Sequence, residues 1–135
     1  MPTRFERVYK QIKTELEAIK TTYRYSNLSM AFAHLMLKNI LDINDDDANE
    51  AITDGSNDNG IDAIYFDTRG RQNEIHFFQF KFPESEEKIT KAVTQDELLK
   101  LTNGYKLFMG NDDKFGSTEW NDLLLEKRKE LLSSN

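Results

Sequence analysis

Apolar residues at three- and four-residue steps open the chain. Phe5, Val8, Tyr9, Ile12, Leu16 and Ile19 predict an amphipathic helix across about residues 3–21. Its other face mixes Lys and Glu, as a solvated face does. A second helix is predicted across about residues 27–42, with Ser26 or Asn27 as its N-cap. Leu28, Phe32, Leu35, Met36 and Ile40, with four further small or apolar residues, make it apolar nearly all round, so burial against a sheet is expected. The period then shortens. After a polar connection at 43–49, Glu50–Thr53 is predicted as a short first strand, and two denser apolar runs follow near 61–66 and 75–82. Pro83 ends the second run, because proline cannot continue a central ladder. From Ser85 to Leu101 the helical period returns, as one helix or as two, since Thr94-x-x-Glu97 reads as a capping box. Asn103-Gly104 is a stop signal. Tyr105–Met109 reads as strand or helix end, 110–116 as loop, and a last helix starting at Ser117 or Thr118 carries Trp120, Leu123, Leu124, Leu131 and Leu132. The Lys127-Arg128-Lys129 cluster reads as surface. The fold class is α/β (α+β): a small mixed sheet around a central hairpin at about 61–82, flanked by helices.

The hairpin carries the chemistry. Gly70-Arg71 fits a two-residue loop of the II′ type, with Gly in the first central position. Residues whose numbers sum to 141 then face each other, which sets Asp62 opposite Gln79. Side chains alternate along a strand, so Gln79 and Lys81 share one face roughly 6.6 Å apart. A lysine and an amide on an aromatic strand are costly to bury without a use. A one-residue slip would turn Asp62 away from both.

Length and charge narrow the class. A chain of 135 residues suits one domain, 1–135, with a single core. Cysteine is absent, which excludes disulfides and thiolate metal sites. No apolar run approaches a membrane span and no leader follows Met1, so a soluble, cytoplasmic protein with no membrane partner is expected. Net charge is −6, yet residues 42–67 hold nine of the 24 acids and no Lys or Arg, leaving 15 acids against 18 bases elsewhere. An acidic pocket in a mildly basic body suits a metal-dependent nuclease; it also suits a solvated acidic loop. The alternation of Asp54, Ser56, Asp58, Gly60 and Asp62 mimics a calcium loop, but Asn59 and Tyr65 occupy the positions where an EF-hand needs Gly and Glu.

Asp62, an apolar strand, a turn, and an apolar strand ending in Gln79-Phe80-Lys81 together resemble the PD-(D/E)XK nuclease superfamily. The loop Asn57-Asp58-Asn59-Gly60-Ile61-Asp62 is similar to that of Mrr-like members, and the longer run from Thr53 to Tyr65 resembles the amino-terminal part of abortive-infection phage-resistance (AIPR-type) proteins. The resemblance covers about residues 50–82. It implies a restriction-endonuclease-like core and a Mg²⁺- or Mn²⁺-dependent hydrolase of nucleic acid, DNA favoured over RNA, in phage defence or restriction. Asp62, Gln79 and Lys81 would be its catalytic residues. Metal ligands would come from Asp62, the Gln79 side chain and the Phe80 carbonyl, with Asp58, Asp54 and Glu50 as further candidates. In the Mrr-like pattern the helix before the loop supplies a Glu, whereas 27–42 holds no acid before Asp42. His34 in that helix is a possible ligand but reads better as a structural histidine. Asp54 and Asp58 also suit turn positions that bond their own backbone. Phe77, Phe78, Phe80 and Phe82 read as core, while Phe5 and Tyr23-Arg24-Tyr25 are candidates for stacking on nucleic acid. The implied fold needs a further strand after the hairpin, which Tyr105–Met109 alone could supply, and family members are longer. An amino-terminal fragment, or a homodimer closing through a sheet edge or the Trp120 helix, is therefore expected. A nuclease fold that binds without cleaving, or an assembly domain, stays open.

Overall fold

The computed structural model describes residues 3–55, 57, 59–82 and 95–133, the side chains of Phe5 and Glu97 excepted. The expected helix start at Ser85, the capping box at Thr94 and the strand end at Pro83 lie outside the described residues. Within them the chain is α+β: six helices and one antiparallel two-stranded sheet. It divides into two compact units, Met1–Glu50 with Phe80–Ala92, and Ala51–Gln79 with Val93–Asn135.

The first unit is built on local capping. Thr3 and Glu6 form a reciprocal capping box that starts α1 (Arg4–Tyr23), and Arg24 ends it in the left-handed region at φ 58°. Asn27, not Ser26, caps α2 (Leu28–Leu41), its side chain accepting from the Met30 amide at 2.9 Å. α2 packs on α1, burying Leu16, Ala31, Ala33 and Leu37. The polar connection becomes helix: Asn44 accepts from the Asp47 amide and opens α3 (Asp45–Ala51). Phe82 stacks on Tyr9 with centroids 5.5 Å apart, and Phe32 meets both Phe80 and Phe82. Phe80 and Phe82 are thus packed aromatics, as expected.

The second unit holds the hairpin. β1 (Ala63–Asp67) pairs with β2 (Glu74–Phe78), and every pair sums to 141, from Ala63 with Phe78 to Asp67 with Glu74. The expected register is correct, but the II′ turn is not. The strands stop at Asp67 and Glu74, leaving a six-residue loop in which Gly70 lacks a positive φ. Glu50–Thr53 is not a strand: the helix runs to Ala51, and Ile52 makes an isolated bridge with Ala63. Inward residues Ile64, Phe66, Ile75 and Phe77 pack on a core of Ile61, Phe108, Trp120 and Leu124.

Tyr105–Met109 supplies no strand. α4 runs from Gln95 to Phe108 straight through Asn103-Gly104. Gly104 is buried in the helix because the Asn59 carbonyl occupies the space a Cβ would fill, with Ile61 Cγ1 also 3.3 Å from that point. Gly60 mirrors it: at φ +83° its missing Cβ would sit 2.9 Å from the Leu101 amide nitrogen. Loop and helix touch through paired glycines. Alanine in a helix interior normally gains about 1 kcal/mol over glycine. Gly104→Ala is instead expected to lose about 2 kcal/mol, because main chain must part from main chain. A urea midpoint that moves up would contradict this close approach. α5 (Asp112–Gly116) occupies the expected loop, and α6 (Asp122–Ser133) starts at Asn121, whose side chain accepts from the Leu124 amide, not at Ser117 or Thr118.

Candidate functional site

The loop from Thr53 to Asp62 is pinned through its main chain. Thr53 is fully buried; its amide donates to the Asp62 carbonyl and its hydroxyl to the Ile61 carbonyl, both at 2.9 Å. Asn121 donates its side-chain amide to the Thr53 carbonyl at 2.7 Å and its backbone amide to Asn57 at 3.2 Å. Asn59 bridges to the Glu119 carbonyl at 2.9 Å. Gly55, Asn57, Asn59 and Gly60 all adopt positive φ, which short polar side chains and glycine tolerate best. The Asn-Gly-rich composition marks this loop in the sequence. The pin Asn121 has no signal in the sequence, since its partner Thr53 lies 68 residues away.

The implied catalytic residues are placed as follows. Asp62 is half-buried at the entrance to β1, and its amide donates to the Phe78 carbonyl at 2.8 Å. Phe78 is also the ladder partner of Ala63. Two residues therefore address one, the count of a β-bulge, and the regular pairing of Asp62 with Gln79 is lost at that step. Gln79 is half-buried at the end of β2; Phe80 is half-buried and Lys81 exposed, both in the stretch that belongs to the first unit. Asp54 is half-buried in the loop, Glu50 is exposed on α3, and Asp58 lies outside the described residues. The donors offered by Asp62, Gln79 and Phe80 are all oxygens, the set a hard cation such as Mg²⁺ takes.

A different group lies at the far end of the hairpin. Asp67, Glu74 and His76 bring one ligand atom each within 4.8 Å of one another, the one such group among the described residues. Arg69 already holds Asp67: its Nε and Nη2 lie 3.1 Å from the two carboxylate oxygens and its amide 3.0 Å from one. These bonds, the side-chain ones foremost, hold the Asp67 carboxyl down to about 2. A cation there would have to displace a forked guanidinium. His76 Nε2 sits 3.2 Å from Glu74 Oε2, outside hydrogen-bond geometry.

His34 is structural. Its buried ring lies between the Tyr25 hydroxyl, 2.7 Å from Nδ1, and Asp45, 2.9 Å from Nε2. Asp45 also meets Lys38 at 2.9 Å, and the bonds from His34 and then Lys38 lower its carboxyl. Burial raises the Tyr25 hydroxyl, which stays protonated. Tyr23 and Tyr25 pack around this ring and stack on each other with centroids 6.0 Å apart. No helix among the described residues is long and apolar enough to cross a membrane. The chain matches no family model, and no curated protein or solved structure matches it.

Proposed function

We propose that the chain carries a metal-dependent nuclease domain that hydrolyses phosphodiester bonds, DNA before RNA, in the setting of phage defence or restriction. The observation that supports this most is the hairpin register, with pairs summing to 141 from Ala63–Phe78 onward. In it Asp62, just ahead of β1, and Gln79, just after β2, belong to the same end of one hairpin. Asp62 and the Gln79 side chain, with the Phe80 carbonyl, would hold Mg²⁺ or Mn²⁺. The metal supplies polarisation of the phosphoryl oxygen and acidifies water. Lys81, exposed two residues beyond Gln79, orients the attacking water and offsets charge developing on the phosphate. The loop main chain, fixed by Thr53 and Asn121, holds Asp62 in place independently of its carboxylate.

The test is cleavage of plasmid DNA and of single-stranded RNA with Mg²⁺ or Mn²⁺, by the parent and by Asp62→Ala and Lys81→Ala at matched folding. Each substitution is expected to lower the rate at least about a hundredfold. Cleavage that survives both would refute the assignment. One observation favours a second reading, a nuclease fold that binds nucleic acid or assembles without cleaving: α2 carries no acid in its first turn, nor elsewhere before Asp42. Metal-linked stabilisation separates the two, because a ligand of the native state must raise the Tm.

A further inference from the structure

An open cavity of about 390 Å³ lies within the first unit, large enough for a small-molecule ligand. Its walls include Lys13 and Lys20 of α1, Ser26 and Ser29 at the head of α2, and the stacked rings of Tyr9 and Phe82. Among the described residues no carboxylate lines it. Both lysines are half-buried, and among the described residues neither has a carboxylate partner. Half-buried cations without counter-charge raise the local potential and favour an anion. The rest of the wall agrees. Lys13 and Lys20 are seven residues apart, two turns along one face of α1 and roughly 10 Å of axial rise, so both ammonium groups serve the same cavity. The first turn of α2 contains no acid, so its positive end is unopposed, and Asn27 engages only the Met30 amide there.

We infer that this cavity binds linked phosphate groups of a nucleotide or a nucleic-acid strand, gripped by Lys13 and Lys20 with the Ser29 hydroxyl as a donor. The Tyr9–Phe82 pair forms the apolar wall against which the sugar side of the ligand rests. The inference stands on the first unit alone and does not rest on the nuclease reading.

The test measures binding of thymidine diphosphate and of a short single-stranded oligothymidylate, by calorimetry and fluorescence anisotropy in EDTA, where metal-dependent cleavage cannot contribute. Lys13→Gln/Lys20→Gln is expected to weaken binding about tenfold per lysine. It should also flatten the salt dependence of strand binding by about 1.4 in log–log slope. Ser29→Glu is the folding-safe variant: an acid in the first turn suits the helix dipole, so the Tm holds or rises while binding falls. Binding of the diphosphate supports a free nucleotide as the source, binding of the oligonucleotide alone a strand. Unchanged affinity in both the lysine and Ser29 variants, or binding of neither probe by the parent, would overturn the inference.

Discussion

Arg128→Met is expected to lose about 3 kcal/mol of stability, although the residue sits in a run of three basic side chains that reads as solvated surface. Lys129 behaves that way, paired with Glu126 along the helix, whereas Lys127 pairs with Glu130 and lies largely covered over the Phe66 ring. Arg128 is buried, with its Nη1 donating to the Phe108 carbonyl at 2.6 Å and its Nη2 to the Gly110 carbonyl at 2.9 Å. Those carbonyls belong to the end of α4, where the helix leaves its last acceptors unmet. The guanidinium thus caps a helix end 20 residues earlier in the chain, a contact that no local rule contains. Methionine keeps an apolar stem but loses the guanidinium that lies over Phe115 and strands one buried and one part-buried acceptor, each at a cost of roughly 1 to 3 kcal/mol. The ion pair with Asp112 adds little, since that carboxylate is 93 % exposed. Lysine should recover only part of the loss, because a point charge cannot serve two divergent carbonyls as a planar fork does. The check is urea denaturation: a lower midpoint at unchanged slope for Arg128→Met, with Arg128→Lys between it and the parent. A midpoint within error of the parent would show that water caps α4 equally well.

The contrast between Arg128 and its neighbours shows where sequence reading stops. Features whose two partners lie within a few residues were legible: Asn27 and Met30, or Ile64 and Phe66 on one face of a strand. The register was legible for a particular reason. Any loop centred on Gly70 and Arg71 closes pairs that sum to 141, so the register survived although the two-residue turn became a six-residue loop. The same arithmetic failed at Asp62, because a bulge depends on what lies on the other side of the strand. There the bridge of Ile52 with Ala63 and the Thr53–Asp62 bond draw the chain the other way. Gly104 misled for the related reason that glycine has two uses. Local rules see a helix stop, whereas the helix needs a place where the Asn59 carbonyl can approach. The candidate chemistry shares this limit: residue types near Asp62 were readable, and their mutual geometry was not.

The larger stability effect is expected at Phe108. Phe108→Ala should lose about 4 kcal/mol, the usual cost of removing a buried aromatic ring and leaving its cavity. The side chain is fully buried, meeting Phe77 at 5.6 Å, Trp120 at 5.9 Å and Phe115 at 6.0 Å, all near perpendicular. Edge-to-face pairs of this kind add to the area term, so the ring joins the inner face of the hairpin to the α5–α6 corner. Leu at this position keeps much of the volume and should cost about 1.5 kcal/mol or less. Trp120 gives a direct readout, being the one tryptophan in the chain and stacked on Phe115 at 5.0 Å. Its indole donates to the Phe115 carbonyl at 2.7 Å, which fixes the ring before any solvent reaches it. In Phe108→Ala the near-ultraviolet dichroism of Trp120 should weaken and its emission move to longer wavelength below the unfolding midpoint. In Phe108→Leu both should stay close to the parent. If alanine lowers the midpoint but leaves the Trp120 signals intact, the surrounding rings have closed over the cavity, and Phe108 fills space without ordering the corner. If the signals change together with the midpoint, the ring is what orders that corner, and the hairpin that carries Asp62 and Gln79 depends on it.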